Sequence, residues 1–163
     1  LVEQLSVRDE LTCLSNRRGF MNLAEQQVKL LRRNKSGFFI LYADLDDLKR
    51  INDACGHADG DLALRSAAEV LRESLRDSDI VARMGGDEFT VLISQAMPPS
   101  IEIIEKRIAA GCERASARLG KSWKVSLSIG HFHSAPDCGL SLTRMLELAD
   151  AELYKAKQKK RPA

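Results

Sequence analysis

The stretch Ile80-Val81-Ala82-Arg83-Met84-Gly85-Gly86-Asp87-Glu88-Phe89-Thr90-Val91-Leu92-Ile93 decides the fold. Two apolar runs, Ile80 to Met84 and Phe89 to Ile93, flank Gly85-Gly86, and a glycine pair between such runs predicts a tight β-hairpin. Upstream, Phe38 to Ala43 is unbroken in its apolar character, as expected of a strand buried on both faces. Downstream, Trp123, Val125, Leu127 and Ile129 alternate with polar residues, the pattern of a half-buried strand. Helical spacing fills the intervals. Phe20, Leu23, Gln27, Leu30 and Leu31 form one stripe, closed by Asn34 to Gly37. Leu64, Ala67, Leu71 and Leu75 mark a helix from about Ala58 to Leu75. Ile101, Ile108, Cys112 and Leu119 mark a third, and Leu142, Met145, Ala149, Leu153 and Ala156 the last. Hairpin pairing with segregated helices predicts an α+β sandwich around a largely antiparallel sheet. G-x-G-x-x-G and G-x-x-x-x-G-K are both absent, which excludes a Rossmann unit and a P-loop.

A chain of 163 residues suits one domain with one sizeable core, and 44% apolar with 29% charged residues describes a globular protein. The net charge of +2 gives no whole-chain argument for nucleic-acid binding, and none is expected. Lys155, Lys157, Lys159, Lys160 and Arg161 crowd the end of the chain, as cations do at a solvated helix C-terminus. Cys13, Cys55, Cys112 and Cys138 are scattered with no C-x-x-C pair, which argues against a disulfide framework or structural zinc and fits a reducing cytosol. No run approaches the roughly 20 apolar residues of a membrane span, and no signal peptide is visible. The chain begins at Leu1 rather than Met, so an excised domain is expected, with an upstream sensor or membrane anchor out of view.

Acidic residues gather at two strand ends. Asp44, Asp46 and Asp47 follow the run Phe38 to Ala43, and Asp87 and Glu88 follow the glycine pair. If the strands are neighbours, these carboxylates converge and repel unless a cation compensates them. Oxygen ligands without His or Cys favour magnesium or manganese over zinc. The plainer reading makes Asp46 or Asp47 a helix cap and Asp87 a solvated turn residue. His131 and His133 share a strand face but lack a third ligand, and Trp123 reads as a core anchor.

Five ordered blocks resemble one family. Gly85-Gly86-Asp87-Glu88-Phe89 matches the signature of the GGDEF-domain diguanylate cyclases. Asp9-x-Leu11-Thr12-x-Leu14-x-Asn16-Arg17-Arg18 resembles the family's opening motif. Asp44-Leu45-Asp46-x-x-Lys49-x-Ile51-Asn52-Asp53 and Gly56-His57-x-x-Gly60-Asp61 resemble its nucleotide segment, where His57 is expected to order the loop. Arg76-x-x-Asp79 resembles its product-inhibition motif, and Ala149-Asp150 through Tyr154, Ala156, Lys157 and Arg161 its closing helix.

The resemblance implies a central, largely antiparallel five-stranded sheet flanked by helices, the nucleotidyl-cyclase or palm-like GGDEF fold. It places the domain at residues 9–163, with residues 1–8 as the end of an N-terminal connector helix. It implies that two GTP molecules condense to cyclic di-GMP and two pyrophosphates in a homodimer holding one GTP per protomer. Asp44, Asp87 and the carbonyl of Leu45 would hold magnesium or manganese, with Glu88 beside the chemistry or on the metal. Asn52 and Asp61 would bond guanine. Lys49, Lys157, Arg161 and the amides of Asp47 and Leu48 would hold the phosphates, and Asp87, Glu88 and Lys49 would carry catalysis. Arg76 and Asp79 would bind cyclic di-GMP as feedback ligand. Lys157 and Arg161, four apart, are expected on one face of the last helix. An upstream sensor or dimerising domain and a cytoplasmic location complete the expectation.

Two departures from the family pattern stand out: Lys160 replaces the usual Gly before the final Arg, and Asp47-Leu48 replaces an aromatic or apolar pair before Lys49. The first bears on the reach of Arg161, the second on how the phosphate loop packs. The competing readings are a catalytically inactive GGDEF-like receptor for GTP or cyclic di-GMP, and a dimerisation or docking domain.

Overall fold

The computed structural model describes residues 6–94 and 100–161. The elements in order are α1 (Arg17–Arg33), β1 (Phe38–Leu45), α2 (Leu48–Cys55), α3 (His57–Ser74), β2 (Ile80–Gly85), β3 (Glu88–Ile93), α4 (Ser100–Leu119), β4 (Leu127–Ser134) and α5 (Leu142–Lys160). Of the connector expected over residues 1–8, residues 1–5 lie outside the described residues, and Arg8 forms a β-bridge to Ser15.

Among the described residues the sheet has four strands in the order β2-β3-β1-β4, with every neighbouring pair antiparallel. The expected fifth strand is therefore corrected to four. The sequence holds four strand-like runs and each forms one strand, so the fifth had no residues of its own. β1 lies between β3 and β4 and is buried along its whole length, which explains its uninterrupted apolar run. Its odd residues, Phe39, Leu41, Ala43 and Leu45, enter a core with Leu64, Leu71, Ile108 and Ala115 of α3 and α4. Its even residues Phe38, Ile40 and Tyr42 meet Phe20 and Leu31 of α1 and Met145 and Leu153 of α5. Helices thus cover both faces of β1.

Local chemistry sets the element limits. The Asn16 side chain caps α1 by accepting the Gly19 N–H, and Ser141 caps α5 by accepting the Arg144 N–H. Gly56, at φ +91°, makes the corner between α2 and α3. The fourth strand begins at Leu127, not at Trp123 as the alternation predicts. Ser116 Oγ accepts the Val125 N–H at 2.9 Å, and the Trp123 indole donates to Asp59 at 2.7 Å, so those residues bind helices instead of a ladder. The hairpin loop is also shifted by one residue: Gly85 pairs with Glu88, leaving Gly86 and Asp87 as the turn.

Candidate active site

The site is the end of the sheet where β1 stops and β3 starts. Asp44 pairs in register with Glu88 of β3 on one side and Ser128 of β4 on the other. The Leu45 N–H donates to the Asp87 carbonyl at 2.9 Å, which ties the two acidic segments together. Gly85 and Gly86 take φ +142° and +50°, conformations that L side chains rarely adopt, so the turn presenting Asp87 depends on both glycines. Arg83 secures that turn: Nε and Nη2 donate to the Gly86 carbonyl at 3.0 and 2.8 Å, and Nη1 reaches Asp9 at 3.2 Å. The opening motif is thereby wired to the signature turn.

Asp44 is 7% exposed. Burial above all, and then the adjoining Asp87 carboxyl, push its pKa up to about 7 against the pull of Lys157. Lys157 Nζ of α5 donates to Asp44 Oδ2. Burial works against that ammonium, but its bond to Asp44 and the charges of Asp44 and Asp87 outweigh it and raise the lysine's pKa. Asp44 Oδ1 is buried without a hydrogen-bond partner. An orphaned carboxylate oxygen beside a second carboxylate is a group that a hard cation satisfies, so these residues fit magnesium or manganese. Among the described residues no three His, Cys, Asp or Glu side chains converge. Side chains would therefore supply two ligands, and main chain, water and phosphate the remainder, as magnesium commonly accepts.

Asp46 caps nothing. Its oxygens accept Ser128 Oγ at 2.6 Å, Ser126 Oγ at 2.7 Å and Lys160 Nζ at 2.9 Å, and the same ammonium donates to the Leu127 carbonyl at 3.0 Å. Asp47 sits at the N-cap of α2 in the left-handed conformation, φ 62°, and makes no side-chain cap bond. The first-turn amides of α2 thus have no side-chain acceptor from the cap. Lys49 is exposed on that turn, beside Arg50 and Asp53.

Asn52 and Asp61 lie on either side of the Gly56 corner, Asn52 half-buried on α2 and Asp61 exposed on α3. A Cβ on Gly60 would fall 1.8 Å from Asn52 Oδ1, so glycine is what lets α3 approach that amide so closely. Arg76 and Asp79 are at the opposite end of β3. Asp79 is closed: its carboxylate, 2% exposed, accepts the Arg76 N–H at 3.0 Å, the Ser94 N–H at 3.1 Å and Arg76 Nη2 at 3.4 Å. The Arg76 side chain is 55% exposed.

The structure brings the Asp44 and Asp87 carboxylates together with Lys157, ties Leu45 to Asp87 through the backbone, and sets Glu88 opposite Asp44 in register with its carboxylate turned to Tyr42. Arg161 is the C-cap of α5, four residues after Lys157, and the chain leaves the helical path only after it, at ψ 130°. Lys160, read as solvated, is instead bound to Asp46. Tyr42 was also missed, although its hydroxyl donates to Glu88 Oε2 at 3.1 Å, and burial followed by the Glu88 charge pushes its pKa up to about 12. Its signal was alternation, since Tyr42 lies two residues before Asp44 on the same strand face.

Comparison with known proteins gives the family and agrees with the fold. The family pattern "Diguanylate cyclase, GGDEF domain" matches residues 6–163, and the chain belongs to that family. Diguanylate cyclase DosC of Escherichia coli K12 is 33% identical over 157 residues, 94% of this chain and 33% of that protein. Cyclic di-GMP phosphodiesterase NbdA of Pseudomonas aeruginosa is 33% identical over 156 residues, 96% of this chain and 20% of NbdA. The chain therefore spans a third or less of the length of these curated relatives. Among solved structures, diguanylate cyclase SiaD of P. aeruginosa with its activator SiaC superposes at a TM-score of 0.86 with 28% identity, covering 98% of this chain and 61% of that one. The GGDEF domain of DgcB from Caulobacter crescentus in complex with c-di-GMP superposes at 0.83 with 25% identity, covering 96% and 92%.

Proposed function

We propose that the chain is a diguanylate cyclase domain that condenses two GTP molecules into cyclic di-GMP. The observation that carries this reading is the Asp44–Asp87 pair, with its orphaned oxygen, held at the signature turn beside Lys157. In each half-reaction a 3′-hydroxyl of one GTP forms a P–O bond to the α-phosphorus of the other. The α–β bond breaks and pyrophosphate leaves, so two GTP give one cyclic product and two pyrophosphates. A divalent cation held by Asp44, Asp87 and the Leu45 carbonyl would supply charge neutralisation at the reacting phosphate. Tyr42 holds Glu88 at the rim of the site by its hydroxyl. Lys49, Lys157, Arg161 and the amides of Asp47 and Leu48 would take the β- and γ-phosphates, an assignment supported by the uncapped start of α2.

Asn52 and Asp61 would select guanine, whose N1–H and 2-amino donors match a carboxylate, whereas adenine offers an acceptor at N1. Asp61→Ser is expected to lower discrimination between GTP and ATP by roughly tenfold or more, since a charged acceptor is lost. Competition with both nucleotides measures it, and an unchanged preference moves base recognition elsewhere.

The product would return as an inhibitor at Arg76 and Asp79. Support for an anionic ligand there is a groove shared by Arg8, Arg72 and Arg76. Asp79 would have to leave Ser94 to take a guanine donor, so Arg76 would make the first contact. We place the domain at residues 9–163, behind the end of a connector, in a cytoplasmic part of a longer protein with its own sensor or dimerising module. No helix among the described residues is long and apolar enough to cross a membrane. Incubation with GTP and magnesium or manganese, read by product mass, tests the activity. Nucleotide binding without a product would make the domain a receptor instead.

A further inference from the structure

We propose that Lys157 is a resident counter-ion at Asp44, which a divalent cation displaces and so releases toward the substrate's phosphates. The inference rests on Asp44 and Asp87 being the metal ligands, and adds an exchange between two cations at one carboxylate.

Three observations carry it. Lys157 Nζ donates to Asp44 Oδ2, while Oδ1 of the same carboxylate is buried and unpaired, so the ammonium fills only half of what Asp44 offers. A divalent ion and an ammonium drawn onto one carboxylate repel each other strongly in a poorly solvated pocket. The Lys157 side chain is 37% exposed against 10% for Asp44, so the ammonium has a path to water on its outer side, and its four-carbon stem can swing. The helix need not move with it. Three residues on, Lys160 is fastened to Asp46 at 2.9 Å and to the Leu127 carbonyl at 3.0 Å, so the last turn of α5 stays docked while Lys157 leaves. Lys160 replaces the glycine usual in the family and acts here as a positioning residue.

The exchange does two things. It keeps two neighbouring carboxylates tolerable before the cation arrives, since like charges so close disfavour joint ionisation. It also makes cation binding deliver a cation to the phosphates, so that metal and nucleotide affinities are linked through one side chain.

The test measures manganese binding without nucleotide, by the electron paramagnetic resonance signal of free Mn2+, in the wild-type chain and in Lys157→Met, Lys160→Met and Asp44→Asn. Lys157→Met is expected to bind the ion roughly fivefold tighter, the scale of a partly exposed ion pair, and Lys160→Met to stay within about twofold of wild type. Lys157→Gln, of similar reach, repeats the measurement should the Met variant melt abnormally. Equal or weaker binding by the Lys157 variants overturns the exchange, as does an equal gain in Lys160→Met, which would reveal a general field in place of a contact. Asp44→Asn is expected to lose the ion. If Asp44→Asn binds manganese like wild type, the metal assignment falls and the exchange with it. If Asp44→Asn loses the ion while the Lys157 variants are unchanged, only the exchange fails.

Discussion

Asp87→Ala and Asp44→Asn are each expected to lower GTP turnover by about a thousandfold or more, because each removes an oxygen that would hold charge-neutralising metal at the phosphate. Neither change should unfold the domain, and for Asp44 stability should move the other way. The Asp44 pKa is raised from 3.8 to about 7 by burial and by Asp87. Between those values the folded chain retains a proton that the unfolded chain has released, so stability falls as pH rises through that window. Asp44→Asn removes this ionisation. In the presence of a chelator the variant should exceed wild type by on the order of 1–3 kcal/mol above pH of about 7, with the difference vanishing below pH of about 4. Denaturant midpoints at the two pH values measure it. A variant that is inactive and less stable at high pH would mean that Asp44 serves the fold. One that stays active would mean that it serves nothing at the site.

Gly130→Ala is expected to destabilise the domain by about 2–3 kcal/mol, the cost of forcing atoms into a packed interior. Gly130 lies on β4 beneath α5, and a Cβ there would fall 2.0 Å from the Leu153 nitrogen and 2.4 Å from the Ala149 carbonyl oxygen. These are backbone atoms in mid-helix, which cannot turn aside as a side-chain tip can. The helix must lift, and with it the turn that delivers Lys157 to Asp44 and Lys160 to Asp46. A fall in activity larger than the stability loss explains is therefore part of the expectation. Gly139→Ala is the control, since nothing lies within 4 Å of its added carbon. Equal midpoints for the two variants would contradict this close packing of α5.

Much of the architecture was legible because the signals were local. Phe38 to Ala43 read as a doubly buried strand, and a strand with a core on each face is what β1 is. The glycine pair announced the hairpin, although the bulge between Arg83 and Gly85 moved the loop by one residue. What escaped were partners distant in sequence. Asp44 and Lys157 are 113 residues apart, Asp46 and Lys160 are 114 apart, and no periodicity links them. Lys160 was visible as a departure from the family pattern, but its carboxylate was not. The start of β4 was misplaced for the same reason: the Val125 N–H is taken by Ser116 of a preceding helix. The acidic cluster itself could be read from the sequence, because strand ends that neighbour one another bring their next residues together. Which carboxylate would be orphaned and which saturated depended on Ser126, Ser128 and the two lysines.

One candidate guanine pocket, at Asn52 and Asp61, and one candidate phosphate site cannot by themselves hold two GTP molecules facing each other. Two copies related by a two-fold axis can, since each nucleotide then serves as attacker and target. Without a tether the second copy must arrive from solution. The decisive measurement is cyclic di-GMP formation, read by mass, across a dilution series of this chain at saturating GTP and magnesium, with sedimentation at the same concentrations. The account predicts a cyclic product whose yield per unit of protein rises with protein concentration, from a domain that sediments mostly as a monomer. Yield per unit of protein that stays flat on dilution of a monomer, or GTP bound with no cyclic product at any concentration, would contradict it.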